Sequence, residues 1–213
     1  MFVKDCMTHD PITVRPESDP MAAMMVLRSY GFRHLPVLEK DGSLVGIVDR
    51  AGLRQFLAEA GSPSVQKRQH YVEQVMTRDV VTVPPDSPLE EAASLMVKHQ
   101  IGSLPVLERG RLVGIITETD IFKQFVAALG GGTETIRLSV QLENIPGQIA
   151  LLANQIAQVN GNILSLVTYP AKQPGRINLT LRIEGADCEV LQQVIEDLAE
   201  AELLNIWCSE MQR

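Results

Sequence analysis

Few residues in this 213-residue chain are spaced for covalent or metal chemistry. His9, His34, His70 and His99 show no metal-ligand spacing. Cys6, Cys188 and Cys208 make no C-x-x-C pair, and no Ser or Cys stands in a recognisable nucleophile context. Met21, Met24 and Met25 fall at helical spacing and read as core or dimer contact rather than as a metal site. What remains are binding groups at helix mouths. In Gly114-Ile115-Ile116-Thr117-Glu118-Thr119-Asp120 an apolar run leads into a helix, placing Thr117 and Asp120 at its start. Backbone N–H groups there can hold an anion, although an aspartate in a first turn more often serves the helix dipole alone. The stretch Asn144-Ile145-Pro146-Gly147-Gln148-Ile149 has the same character. Gly147 lets the backbone approach a ligand, and the N–H groups of Gln148 and Ile149 open a helix, for which Pro146 needs no ligand.

The elements that position the first stretch occur twice. Met7 and Met76, Thr13 and Thr82, Pro16 and Pro85, and Pro36 and Pro105 each stand 69 positions apart, and one extra residue in the first copy sets Gly46 against Gly114 at 68. Each copy reads strand, helix, strand, strand, helix. In the second, Val80 to Val83 is a short β-branched run stopped by Pro84 and Pro85. Ser87, Pro88 and Glu90 form a capping box, and Leu89, Ala92, Ala93, Met96 and Val97 make one apolar helix face. Leu104–Leu107 and Leu112–Ile116 are buried strands joined at Arg109 and Gly110, and the first copy turns at Asp41-Gly42. Two copies predict half-domains packed about a pseudo-twofold axis, with a cleft suited to sensing a small molecule.

After Gly130-Gly131-Gly132 the pattern changes. Ile136, Leu138, Val140 and Leu142 alternate with polar residues, as do Ile177, Leu179, Leu181 and Ile183. Helical spacing covers Ile149–Ile156 and Val190–Leu198, and Ile163–Tyr169 and Leu203–Ser209 complete a βαββαβ order, the ferredoxin-like split βαβ. Trp207 reads as an interface or core aromatic. The expected divisions are 1–61, 70–129 and 133–213, with connectors 62–69 and 130–132. A net charge of −7 argues against nucleic acid as partner, and 45% hydrophobic residues suffice for real cores. No apolar run is long enough to span a bilayer, and the N-terminus has no signal core. Three scattered cysteines predict a reducing cytoplasm and no disulfide framework.

Each repeat resembles a CBS domain. The likeness rests on Phe32-Arg33-His34-Leu35-Pro36-Val37 with Leu44-Val45-Gly46-Ile47-Val48, and on Ile101-Gly102-Ser103-Leu104-Pro105-Val106 with Leu112 to Asp120. The last segment resembles a ribose motif: a glycine, two apolar residues, a hydroxyl residue, then an aspartate three positions on. The third segment resembles an ACT domain, through Asn144 to Ile149 and Asn160-Gly161-Asn162-Ile163. The combined order resembles AcuB-like acetoin-utilisation proteins. The implied fold is α+β / α/β: two CBS repeats packed as a pseudo-twofold pair, then a βαββαβ ferredoxin-like (ACT) domain.

The CBS resemblance implies an adenine nucleotide (AMP, ADP or ATP) or S-adenosylmethionine as regulatory ligand. Asp120 would accept both ribose hydroxyls, and Thr117 would join backbone N–H groups on phosphate. Val80, Val81 and Thr82 would form the adenine slot with Leu104 and Pro105, beside Gly102 and Ser103. Arg33 and His34 would reach phosphate across the axis. In the first repeat Asp49 replaces the hydroxyl residue and Gly52 the ribose aspartate, so one competent and one degenerate cleft are expected. The ACT resemblance implies an amino acid, its carboxylate on the Gly147–Ile149 turn beside Ile145 and its ammonium on Asn144 and Asn162. The function expected is a non-catalytic, homodimeric regulator of an unidentified protein, needing no catalytic residue, metal or required cofactor. A ligand-free structural adaptor and a nucleotide-hydrolysing enzyme are the alternatives.

Overall fold

The computed structural model describes residues 1–60, 69–130 and 135–208. The expected connectors lie outside these, Gln69 and Gly130 excepted, as does Ser209 of the last expected strand. The chain divides into two compact units, Met1–Phe122 and Lys123–Arg213.

In the first unit, β1 (Thr8–His9) precedes α1 (Pro20–Ser29). Asp19 starts that helix: its carboxylate accepts from the Met21 N–H at 3.0 Å, and Pro20 occupies the first helical position. The antiparallel hairpin of β2 (His34–Leu38) and β3 (Leu44–Asp49) turns where expected, at Gly42, whose φ of +87° suits glycine. The helix α2 (Arg50–Ala60) follows. The second repeat gives α3 (Leu89–His99), β4 (Ser103–Glu108), β5 (Arg111–Thr117) and the start of α4 (Glu118–Ala128), whose residues from Lys123 on belong to the second unit. Two local expectations fail. The Ser87–Glu90 capping box does not form: Pro88 is the cap residue of α3 and no side chain bonds there. Val80–Val83 is not a strand but a single parallel bridge, Val83 to Val106, because Pro84 and Pro85 lack the N–H groups that would continue it.

The packing units are not the sequence repeats. The turn Val3–Asp5 bonds to the second copy, Val3 N–H to Ser87 O and Lys4 N–H to Pro85 O at 2.9 Å each. Strand β1 pairs with β5, Thr8 opposite Ile115 and His9 opposite Gly114. Reciprocally, Val72 N–H reaches Ser18 O (2.9 Å), Glu73 N–H reaches Pro16 O (3.0 Å), and Thr77 bridges Ile47. The cores follow this exchange. Val72 and Met76 pack with Met24, Leu27, Leu35, Val37, Val48 and Leu53, while Val3 packs with Val83, Leu89, Met96, Leu104 and Ile116. Two glycines admit the crossing segments. A Cβ at Gly46 would stand 2.6 Å from Met76 Sδ, and one at Gly114 would overlap Met7 Sδ and lie 3.0 Å from Thr8 O. The same contact made in both directions is the expected pseudo-twofold relation.

The second unit runs β6 (Ile136–Glu143), α5 (Gln148–Gln158), β7 (Asn162–Pro170), β8 (Arg176–Glu184), α6 (Cys188–Glu196) and β9 (Ala201–Cys208), the expected element order. The sheet order is β7-β8-β6-β9, all neighbours antiparallel. Leu138, Val140 and Leu142 pack with Leu152 and Ile156 of α5 and Leu191 and Ile195 of α6, so the helices cover one face. The alternate residues carry a polar ladder, in which Arg137 donates to Ser139 (3.0 Å) and Gln141 to Asn178 (3.0 Å). The expectation of no disulfide is overturned here. Cys188 at the start of α6 pairs with Cys208 at the end of β9, their Cα atoms 6.3 Å apart. The helix returns the chain to its own starting edge, which a separation of 20 residues in sequence does not reveal.

Candidate functional site

Thr117 ends β5 at the mouth of α4, as the motif requires. Its N–H and hydroxyl both donate to one oxygen of Asp120, at 3.0 and 2.7 Å. In the first repeat Asp49 does the capping itself: one carboxylate oxygen accepts from the N–H groups of Ala51 (2.8 Å) and Gly52 (2.9 Å). Gly52 presents no acceptor at the position matching Asp120. Arg33 does reach across the pair, to Thr119 Oγ1 at 3.3 Å and Glu118 Oε2 at 3.9 Å, within the first turn of α4.

The crossing segments regroup the other residues. A cavity of about 250 Å³ is lined by Val80, Val81, Gly102, Ser103 and His34, all singled out from sequence, together with Ile47, Asp49, Thr77, Asp79, Gln100 and Ile101. Val80 and Val81 therefore face the Asp49 motif rather than that of Thr117 and Asp120, which line no wall of this cavity. The reason is the Thr77–Ile47 bridge, which carries residues 77–81 onto the first repeat, while β1 borders the Thr117 motif. Leu104 is fully buried, and Pro105 O accepts from Val83 N–H (3.1 Å), so both belong to the core, and Thr82 lies outside the lining.

A larger cavity, about 540 Å³, shares His34, Asp49 and Gly102 with the first and adds Met24, Arg28, Arg33, Arg50, Ala51 and Arg54. Of its arginines, sequence reasoning found only Arg33. Arg28 lies on α1 and Arg50 and Arg54 on α2, and as exposed helix residues they carry no local signal. His34, common to both cavities, is held below the usual imidazole range chiefly by burial, against the raising pull of Asp49. Its Nδ1 is buried without a hydrogen-bond partner. Among the described residues no group of three or more His, Cys, Asp or Glu side chains is placed to hold a metal. No helix among them is long and apolar enough to cross a membrane.

In the second unit, Gly147 adopts φ +96° as the cap residue of α5, while Ile145 and Ile149 are exposed. Gln148 buries an unpartnered Oε1. Asn144 lines a cavity of about 330 Å³ with Thr168, Tyr169, Gln173 and Arg176. Asn162 instead donates to Glu184 at 2.8 Å. Since Glu143 opposes Arg176 and Asn162 opposes Glu184, the two asparagines sit at opposite ends of β8. That is roughly 26 Å at 3.3 Å per residue. One chain therefore cannot bring both to a single ammonium group, which corrects the sequence expectation.

Comparison with known proteins fits this geometry. The CBS domain family matches residues 3–59 and 72–127, and the chain belongs to that family. An L-aspartate semialdehyde sulfurtransferase of Methanocaldococcus jannaschii is 33% identical over 125 residues, 58% of this chain but 23% of the enzyme, so the chain spans under a quarter of that relative. The CBS domain pair of protein MJ0100, solved in complex with 5′-methylthioadenosine and S-adenosyl-L-methionine, is 32% identical. It covers 60% of this chain and 97% of that one, with a TM-score of 0.53. A Vibrio cholerae structure described as an acetoin utilization protein (AcuB) is 32% identical over 61% of this chain and 93% of its own, also with a TM-score of 0.53. CBSX2 in complex with AMP is 26% identical over 59% of this chain and 96% of its own, with a TM-score of 0.52.

Proposed function

We propose that the CBS pair of this chain is a non-catalytic sensor of an adenine nucleotide or related adenosyl compound. The observation that carries this reading is the cavity between the repeats. Ile47, Val80, Val81 and Ile101 offer apolar walls for a base, and His34, Asp49 and Ser103 offer polar partners, the composition expected of a small-molecule site. Similar pairs that hold 5′-methylthioadenosine, S-adenosylmethionine or AMP support it. Asp120, with Thr117, is the proposed ribose acceptor of the other cleft, so the two clefts are unequal. The βαββαβ order and strand order of the second unit support an ACT-like domain. Any amino-acid effector would bind at the Asn144–Arg176 cavity, where a guanidinium can meet a carboxylate. A homodimer acting on a separate protein completes the reading. The exposed face of Phe122, Phe125 and Val126 on α4 suits self-association.

Titration of the full chain with AMP, ADP, ATP, 5′-methylthioadenosine and S-adenosylmethionine tests the sensor, and native mass spectrometry of the same sample reads oligomeric state. At least one adenosyl ligand should bind without turnover, and Asp120→Ala should remove one of two unequal sites. Two equal sites, indifference to Asp120→Ala, or hydrolysis lost with Asp120 would overturn the reading. An absence of any binding would leave the adaptor.

A further inference from the structure

We propose that the Cys188–Cys208 bridge is a site of reversible exchange with a small thiol of the glutathione class, and that its reduction releases the end of edge strand β9. Both cysteines belong to the second unit, so the exchange does not depend on what the CBS pair binds.

Neither cysteine is sealed in the core. Both are half-buried at its margin, and both border a hollow of about 210 Å³. The lining also includes Gly185 and Ala186, whose side chains are too short to cover the bridge. Its one carboxylate, Glu184, is engaged by Asn162 at 2.8 Å. A small thiol can therefore come up to the sulfurs, and accessible bridges of this kind are the exchangeable ones. The incoming thiolate bonds to one sulfur, the S–S bond breaks, and the other sulfur leaves with the electron pair and takes up a proton. A second molecule of the same thiol then attacks the mixed disulfide and frees the remaining cysteine. The chain gains two thiols, and two molecules of the reductant are oxidised to one disulfide.

What the bridge holds is lightly anchored. No residue of β9 is buried, whereas six of the eight residues of its neighbour β6 are. As an edge strand β9 is paired on one side only, Ile206 with Leu138, Trp207 with Arg137 and Cys208 with Ile136. The bridge ties this end to the start of α6, whose Leu191 and Ile195 are fully buried. Cutting it leaves the strand end held mainly by its ladder to β6. Trp207 makes the change readable: it is the one tryptophan of the chain, it is exposed, and its ring lies 5.7 Å from the Arg182 guanidinium.

The experiment poises the full chain in glutathione buffers of graded thiol-to-disulfide ratio. Trp207 emission, differential alkylation of the cysteines and amide hydrogen exchange are read at each ratio. Cys188 and Cys208 should become alkylatable together in the native chain, in one two-electron transition that reoxidation reverses. Emission should change along the same curve, and the amides of Ile206, Trp207 and Cys208 should exchange faster by about tenfold or more. Amides of the β7–β8 pair should stay within about threefold. Cys6→Ser should leave the curve where it is, and Cys188→Ser/Cys208→Ser should show the reduced signature in every buffer. Alkylation and exchange on the parent chain decide the matter should the double variant fail to fold. A bridge that yields to glutathione only after urea has unfolded the chain would overturn the exchange site. Reduction with unchanged Trp207 emission and unchanged exchange in β9 would overturn the release of the strand.

Discussion

His34 is where the two cavities meet, and its chemistry is set by burial. Burial holds its imidazole below the usual range, with Arg33 also lowering it while Asp49 and Glu118 pull the other way. The unfolded chain, with an ordinary imidazole near 6.5, therefore takes up a proton before the folded one does. The corresponding stability is complete above about pH 6.5 and is lost as pH falls through the lower, folded value. Urea midpoints should drop between pH 7 and pH 5 more steeply in the parent chain than in His34→Asn, and parallel pH profiles would sink this assignment. Residues of this kind were partly legible in the sequence. Thr117 and Asp120 announce themselves because a hydroxyl and a carboxylate three positions apart cap a helix after an apolar strand. His34 and Arg33 were visible through their place before Leu35-Pro36. Arg28 and Arg54 were not, because an arginine on an exposed helix face looks solvated until folding brings α1 and α2 to one hollow.

At the level of elements, sequence periodicity and the repeat located the α-helices among the described residues and all strands but the shortest, β1, since the apolar spacing of each is local. It missed which elements pack together. Met7 and Met76 mark the repeat in sequence, yet each lies against a glycine of the other copy, because the short segments before α1 and α3 cross over. That exchange moved Val80 and Val81 from the Thr117 motif to that of Asp49. It also makes a specific prediction. Gly114→Ala adds a methyl where Met7 Sδ and Thr8 O already stand, and overpacking of this kind costs about 1–3 kcal/mol. Chemical denaturation of Gly114→Ala, Met7→Ala and the double variant should give a non-additive cycle, the double variant recovering part of the glycine loss but not the contact with the Thr8 carbonyl. Strict additivity would mean that the crossing segment is not held against β5.

For the whole molecule, the separation of the cores decides how stability responds to ligands and redox conditions. The clusters built on Leu27 and Leu104 draw only on residues of the first unit, and the cluster built on Leu138 and Leu181 only on the second. A ligand that binds one folded unit stabilises that unit by RT ln(1 + [L]/Kd), about 2.7 kcal/mol at a hundredfold excess over Kd. A disulfide closing a loop of this size contributes roughly 3 kcal/mol to the unit that contains it. Two thermal transitions should therefore be resolved in calorimetry. The nucleotide that titrates into the CBS pair should raise one by several degrees, and a thiol reductant acting on Cys188–Cys208 should lower the other. Cys208→Ser should reproduce the effect of the reductant and abolish any further response to it. If a single transition moved with both treatments, the two units would be thermodynamically one, and nucleotide binding could then be transmitted directly to the second unit. If each treatment moves only its own transition, communication between the units must instead depend on a partner that contacts both.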